Sequence, residues 1–143
     1  MTTINRICLV LAAIGLASSV AMHVLSFADI AMPAHVWQLE ILFYGMLGLL
    51  PPAIIASHAL IKGYPRKEWR KVSLRGMPSW VARCLGPFQI YSVAGFVLYQ
   101  FVRLGQDEAL VNQRLLSCFF LLCYGTATAM FWSAVRAKAP DRG

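Results

Sequence analysis

Hydrophobic residues run along this chain in four long blocks, at about 7–27, 39–61, 84–104 and 115–135, with polar or basic stretches between them. Each block is about the 20 residues that an α-helix rising 1.5 Å per residue needs to cross a hydrocarbon core of roughly 30 Å. Lipid offers no hydrogen bonds, so the backbone of each block has to satisfy itself, which a helix does. The pattern predicts an all-α integral membrane four-helix bundle of up-down topology, one transmembrane domain covering 1–143. A competing reading makes the first residues a secretory signal, with Arg6 ahead of an apolar stretch that closes on Ala17, Ser18 and Ser19. The apolar pattern continues through Val20, Met22, Val24, Leu25 and Phe27, past the roughly 7 to 15 residues of a signal core, and the first block is therefore read as a span.

Composition agrees with this reading. The chain is 59% hydrophobic and 13% charged, with a mean hydropathy of +0.62, an apolar excess that a soluble domain of this length has no interior to hold. The net charge of +7 is explained by threading. Between residues 62 and 83 stand Lys62, Arg66, Lys67, Arg70, Lys71, Arg75 and Arg83 against Glu68 alone. The first loop has no Lys or Arg, and in the third Arg103 and Arg114 are offset by Asp107 and Glu108. The bias of short cytoplasmic loops toward Lys and Arg puts loop 62–83 and both termini in the cytoplasm, and Arg6, Arg136, Lys138 and Arg142 near the termini agree. No nucleic-acid partner is needed to account for the charge; anionic lipid headgroups are the partner it implies. Within the loop, Pro65 is placed to open a short helix reaching about Arg75, and Gly76 and Pro78 to end it. Trp69 would then lie at the interface with Arg66, Lys67, Arg70, Lys71 and Arg75 facing the headgroups.

Cys8, Cys84, Cys118 and Cys123 form no C-x-x-C pair and are read as small packing residues. Small residues also recur at helical spacing, as Cys8, Ala12, Gly15 and Ser19, as Gly45, Gly48, Pro52 and Ala56, and as Gly125, Ala129 and Ser133. Such stripes allow helices to approach closely in lipid, so they are expected to be seams of the bundle. Pro51 and Pro52 interrupt the second block near its middle. Neither has an N–H to donate, and in a soluble helix interior each would cost about 3 kcal/mol or more. A kink is expected there, either a static bend or a hinge.

Ionisable groups inside a membrane are expensive and are the natural candidates for chemistry. Toward the outer side the expected set is His23, His35, Gln38, Glu40, Gln100 and Arg103, with Glu40 and Arg103 as a charge pair, serving as a helix-end anchor or a small binding site. Toward the cytoplasm, Ser57, His58, Gln89 and Tyr91 form a looser set. Neither has the makings of a catalytic constellation, and no cofactor is expected. A haem between two histidines is disfavoured by depth: His58 lies 19 residues beyond Leu39, roughly 28 Å at 1.5 Å per residue, while His23 is only about 6 Å from the outer edge. His23, His35 and Glu40 lack a fixed ligand spacing and no Cys joins them, so no metal site is expected.

The run from His23 through Leu25, Ser26, Pro33 and Trp37 to Pro52, Ala53 and Ile54 resembles small bacterial inner-membrane proteins of unassigned function with four transmembrane helices. The resemblance covers about the first 60 residues; it implies a multi-pass bacterial cytoplasmic-membrane location and no activity. Small multidrug-resistance transporters carry a Glu in the first span, which is missing here, and thiol-oxidising four-helix membrane proteins carry Cys pairs, also missing. The function expected is non-enzymatic, acting by association as an accessory, anchor or inhibitory subunit of a membrane partner, or as a homo-oligomer. The alternatives are a small transporter or ligand-binding bundle built on the proline-bearing second span, and a haem b or quinone redox subunit.

A reporter that is active only in the periplasm, fused after Gly143, is expected to stay silent, while the same reporter placed in the first loop is active. Activity at Gly143 would reverse the threading.

Overall fold

The computed structural model describes residues 2–30, 36–101 and 108–136. Among them are five helices and no strand: α1 (Thr2–Phe27), α2 (Val36–Ile61), α3 (Trp69–Ser73), α4 (Ser79–Phe101) and α5 (Glu108–Arg136). All but α3 are long and apolar enough to cross a membrane, which makes the chain a multi-pass helical membrane protein. The helices of the last two spans outrun the apolar blocks. The Pro78 carbonyl accepts the Ala82 N–H, so α4 opens at Ser79 and not near Cys84, and α5 opens at Glu108 and not near Leu115.

The last helix is the centre, and α1, α2 and α4 each pack against it. Half of its most apolar stretch is buried, against 6% for α4, as expected of a helix surrounded by others. The main core joins Ala12 and Met22 of α1, Met46, Leu49, Ala53 and Ala56 of α2, and Phe120, Tyr124, Ala127 and Phe131 of α5. Residues of α4 are absent from that cluster. Helix α4 meets α5 through a separate seam, where Phe88 lies over Gly125 and the Cys118 sulfur fills the space beside Gly95.

Tyr124 ties three helices at one level. Its ring occupies the space that a side chain at Gly15 of α1 would need, and its hydroxyl passes Gly45 of α2 to donate to the Leu42 carbonyl at 2.6 Å. A Cβ at Gly45 would stand 2.8 Å from that hydroxyl. Two glycines on different helices therefore open one slot for one aromatic ring, which is how close approach replaces the missing hydrophobic drive in lipid.

The expected seams hold on α1 and α5, where Ala12, Ser19, Gly125, Ala129 and Ser133 are buried. On α2 the buried face is turned from the expected stripe: it runs Met46, Leu49, Ala53 and Ala56, while a Cβ at Gly48 would meet nothing within 4 Å. Helix α2 continues unbroken through Pro51 and Pro52, with Pro51 on the exposed side. The prolines remove the donors that would serve the Leu47 and Gly48 carbonyls, without dividing the helix.

The basic connection is docked on the end of α5. After the extended cap at Pro65 come a single 3-10 turn, Arg66–Glu68, and then α3. Trp69 donates its indole N–H back to the Tyr64 carbonyl at 2.9 Å. Gly76 ends the segment with φ +83, backbone geometry that suits glycine. Its carbonyl accepts the Trp132 indole N–H at 3.2 Å, and the Ser73 carbonyl accepts the Ser133 hydroxyl. A Cβ at Gly76 would stand 2.9 Å from Arg136 Cβ.

Replacing Gly15 with Val is expected to lower the thermal midpoint of the detergent-purified protein sharply, because the ring of Tyr124 has nowhere to move. Tyr124→Phe, which keeps the ring and loses the bond to Leu42, should cost only about 1 kcal/mol. Equal losses for the two variants would show that the slot is not tight.

Candidate functional site

Helix α1 ends with its last carbonyls facing α5, and the polar groups of the bundle gather there. The Ile30 N–H bonds to the Leu25 carbonyl at 3.0 Å, and Asp29 takes the left-handed conformation at φ +54, which Asp tolerates better than most residues. This is a Schellman-type turn. The Ser26 carbonyl within it accepts Nε and Nη2 of Arg114 at 3.2 and 2.9 Å, and the same Nη2 reaches the Asp29 carboxylate at 2.9 Å. A cation from one helix thus caps the negative end of another. Gln113 donates to the Met22 carbonyl at 3.1 Å. Arg114 also lies over the Phe27 ring, 5.6 Å from its centroid.

One turn deeper, His23 joins three helices. Its Nδ1 is 2.8 Å from the Ser117 hydroxyl of α5 and its Nε2 is 2.7 Å from the Tyr91 hydroxyl of α4. Ser117 donates to the Arg114 carbonyl at 2.8 Å, so its single proton is engaged and it accepts from Nδ1–H. Nε2 then accepts from the Tyr91 O–H. One neutral tautomer satisfies the whole chain, an assignment that follows from the network of partners. The ring is also packed edge-on against Phe27 and Tyr91.

This direction of hydrogen bonding decides the chemistry. In nucleophilic catalysis the hydroxyl donates to the imidazole, which acts as base; here the imidazole donates to the hydroxyl, and the serine proton points to a backbone carbonyl that cannot pass it on. Ligation of an ion by His23 would require breaking its bond to Ser117 or to Tyr91. Cys118 lies 3.9 Å from Nδ1. Among the described residues no three His, Cys, Asp or Glu side chains converge as a metal site would need. The arrangement fastens α1, α4 and α5 together.

Of the expected set, His23 is at the centre of this cluster. Glu40 and Gln100 are exposed. His35 and Arg103 lie outside the described residues, and the expected pairing of Glu40 with Arg103 lies outside them too. Tyr91 was expected with His58 and Gln89 at the cytoplasmic end. It instead bonds His23, because α4 opens at Ser79: Tyr91 stands about 18 Å along that helix, against roughly 10 Å for one opening at Cys84. Gln89 bonds Thr126 at 3.0 Å, and His58 is exposed in the last turn of α2. Sequence reasoning missed Arg114, Ser117 and Gln113. The signal available was the spacing of Gln113, Arg114 and Ser117, which places all three on one side of a helix that opens before the apolar block. The chain matches no family model, no curated protein and no solved structure.

His23→Leu should lower the thermal midpoint of the purified protein, and adding Tyr91→Phe to it should cost almost nothing further, since the phenol has already lost its acceptor. A coupling of about 1 kcal/mol is expected from the double-mutant cycle. Strictly additive losses would remove the His23–Tyr91 bond from this account.

Proposed function

We propose that the protein is a non-enzymatic, four-span membrane protein that works by association, as an accessory, anchor or inhibitory subunit of a membrane partner. Its basic loop and both termini face the cytoplasm of a bacterium, and its spans alternate in direction as a single transmembrane domain of the inner membrane. Alternation is supported by the residues that meet: Gly15 with Tyr124 and Ser26 with Arg114 for α1 against α5, and Phe88 with Gly125 and Gly95 with Cys118 for α4 against α5. In each pair one number rises as the other falls.

The observation that carries association is the exposure of α4. Its most apolar stretch is the least apolar among those of the four spans, at a mean hydropathy of 1.3 against 1.6 to 2.2, and also the least covered by its own chain, at 6% against 22 to 50%. Lipid would favour the opposite, the least apolar helix inside. Ala94, Val97 and Phe101 follow one another at three- and four-residue steps along its exposed side, beyond the basic-loop end of the helix, as in a helix–helix seam. A partner helix seated there would cover the face of α4 that α5, and α1 through the single His23–Tyr91 bond, leave open. The polar cluster around His23, with its hydrogen bonds closed on protein groups, supports a structural role for that end of the bundle.

Photoactivatable side chains introduced singly at Ala94 and Val97 in living cells, with Ile14 on the exposed side of α1 as comparison, are the test. A protein adduct of one discrete mass at both α4 positions and none at Ile14 is expected. Lipid adducts alone at all three positions would overturn the proposal, and a Soret band in the purified protein would replace it with a haem-bearing redox subunit.

A further inference from the structure

At the basic-loop end of the bundle, α3 and the first half of α4 enclose an open cleft of about 450 Å³, lined by Arg70, Ser73 and Leu74 on one side and by Ala82, Leu85, Gly86, Gln89 and Ile90 on the other. We propose that this cleft seats one anionic phospholipid, with its phosphate at Arg70 and its acyl chains along Leu85 and Ile90.

The two walls differ in chemistry. The α4 side is a single helical stripe at steps of three, one, three and one residues from Ala82 to Ile90, running from the level of the loop into the apolar depth of the span. The α3 side presents a guanidinium. Arg70 Nη2 is 3.8 Å from where a Cβ at Gly86 would stand, so the charged group lies against α4 beside the cleft. Among the described residues Arg70 makes no ion pair, the one such pair being Arg114 with Asp29 at the far end of the bundle. Gln89 is held in the wall by its bond to Thr126.

Charge complementarity selects the occupant. The loop carries Lys62, Arg66, Lys67, Arg70, Lys71, Arg75 and Arg83 against Glu68, which favours a negative headgroup. A guanidinium presents two N–H groups to one phosphate and is weakly hydrated. A free anion would use the guanidinium and leave the Leu85–Ile90 wall to lipid; a zwitterionic lipid would use the wall and bring a positive group to an already positive rim. An anionic phospholipid uses both. The inference needs only the membrane location of the chain and is independent of any protein partner.

The test is native mass spectrometry of the detergent-purified full chain, offered equal amounts of phosphatidylglycerol and phosphatidylcholine with the same acyl chains. A single retained lipid is expected, with phosphatidylglycerol favoured roughly tenfold. Arg70→Gln should reduce that preference to near parity, and Gly86→Leu, whose side chain enters the cleft without meeting backbone, should remove the adduct of either lipid. Lys67→Gln, an equal change of charge on the same loop but outside the cleft, should leave the preference as it was. Far-ultraviolet circular dichroism of each variant verifies that the helices are intact, and if Arg70→Gln does not fold, Gly86→Leu and Lys67→Gln decide. Equal loss in Lys67→Gln and Arg70→Gln would reduce the effect to diffuse loop charge and overturn the seat. So would retention of the lipid in Gly86→Leu, equal retention of both lipids by the native chain, or displacement of the lipid by an equal concentration of inorganic phosphate.

Discussion

Helices in a bilayer gain little by hiding apolar surface from one another, because lipid is as apolar as they are; what holds them is close approach and hydrogen bonding. In this protein both are concentrated on α5. Tyr124 enters a slot cut by Gly15 and Gly45 and bonds the Leu42 carbonyl, and about two to three turns toward the start of the same helix Ser117, Gln113 and Arg114 take up the polar groups of α1. At its other end Trp132 and Ser133 hold the basic connection. The remaining long helices depend on α5 far more than on each other. Changes along α5 should therefore reach further than the same changes elsewhere, and α4, held by α5 and by one bond to His23 of α1, is the span least covered by its own chain.

The polar cluster and the open helix have opposite characters. His23 has both ring nitrogens occupied, and its neighbours direct their protons toward protein acceptors, so the most conspicuous ionisable group within the spans is engaged in holding helices. At the basic-loop end Arg70, exposed and without an ion pair among the described residues, lies beside an amphipathic cleft. A bundle built this way has a fastened end and a receptive end. The fastened end stabilises the arrangement that the receptive end presents to lipid or protein.

Much of the site was hidden from the sequence for one physical reason: depth was measured from apolar blocks, while α4 and α5 begin ahead of those blocks. Pro78 and Gly76 set the start of α4, and this moves Tyr91 from the loop end to His23. Helix α5 opening at Glu108 puts Arg114 on a helix, beside the end of α1, where the sequence pattern alone made it a loop residue offset by Glu108. The turned face of α2 has a similar origin. Small residues mark where close contact is possible, and Gly45, Gly48 and Ala56 all qualify, but the side on which Tyr124 enters decides that Met46, Leu49 and Ala53 face inward and Gly48 outward.

The sequence by itself determined that there would be four membrane-crossing helices and a basic connection with a short helix inside it, because span length and helix stops are local properties of composition. It also marked His23 as a group that must find partners, since an imidazole within a span is costly alone. Only the tertiary structure decided who those partners are, that α5 is the centre, and that α4 is the helix left uncovered. Those outcomes depend on rotation about helix axes and on the fit of a few side chains between them, and a hydropathy pattern carries neither.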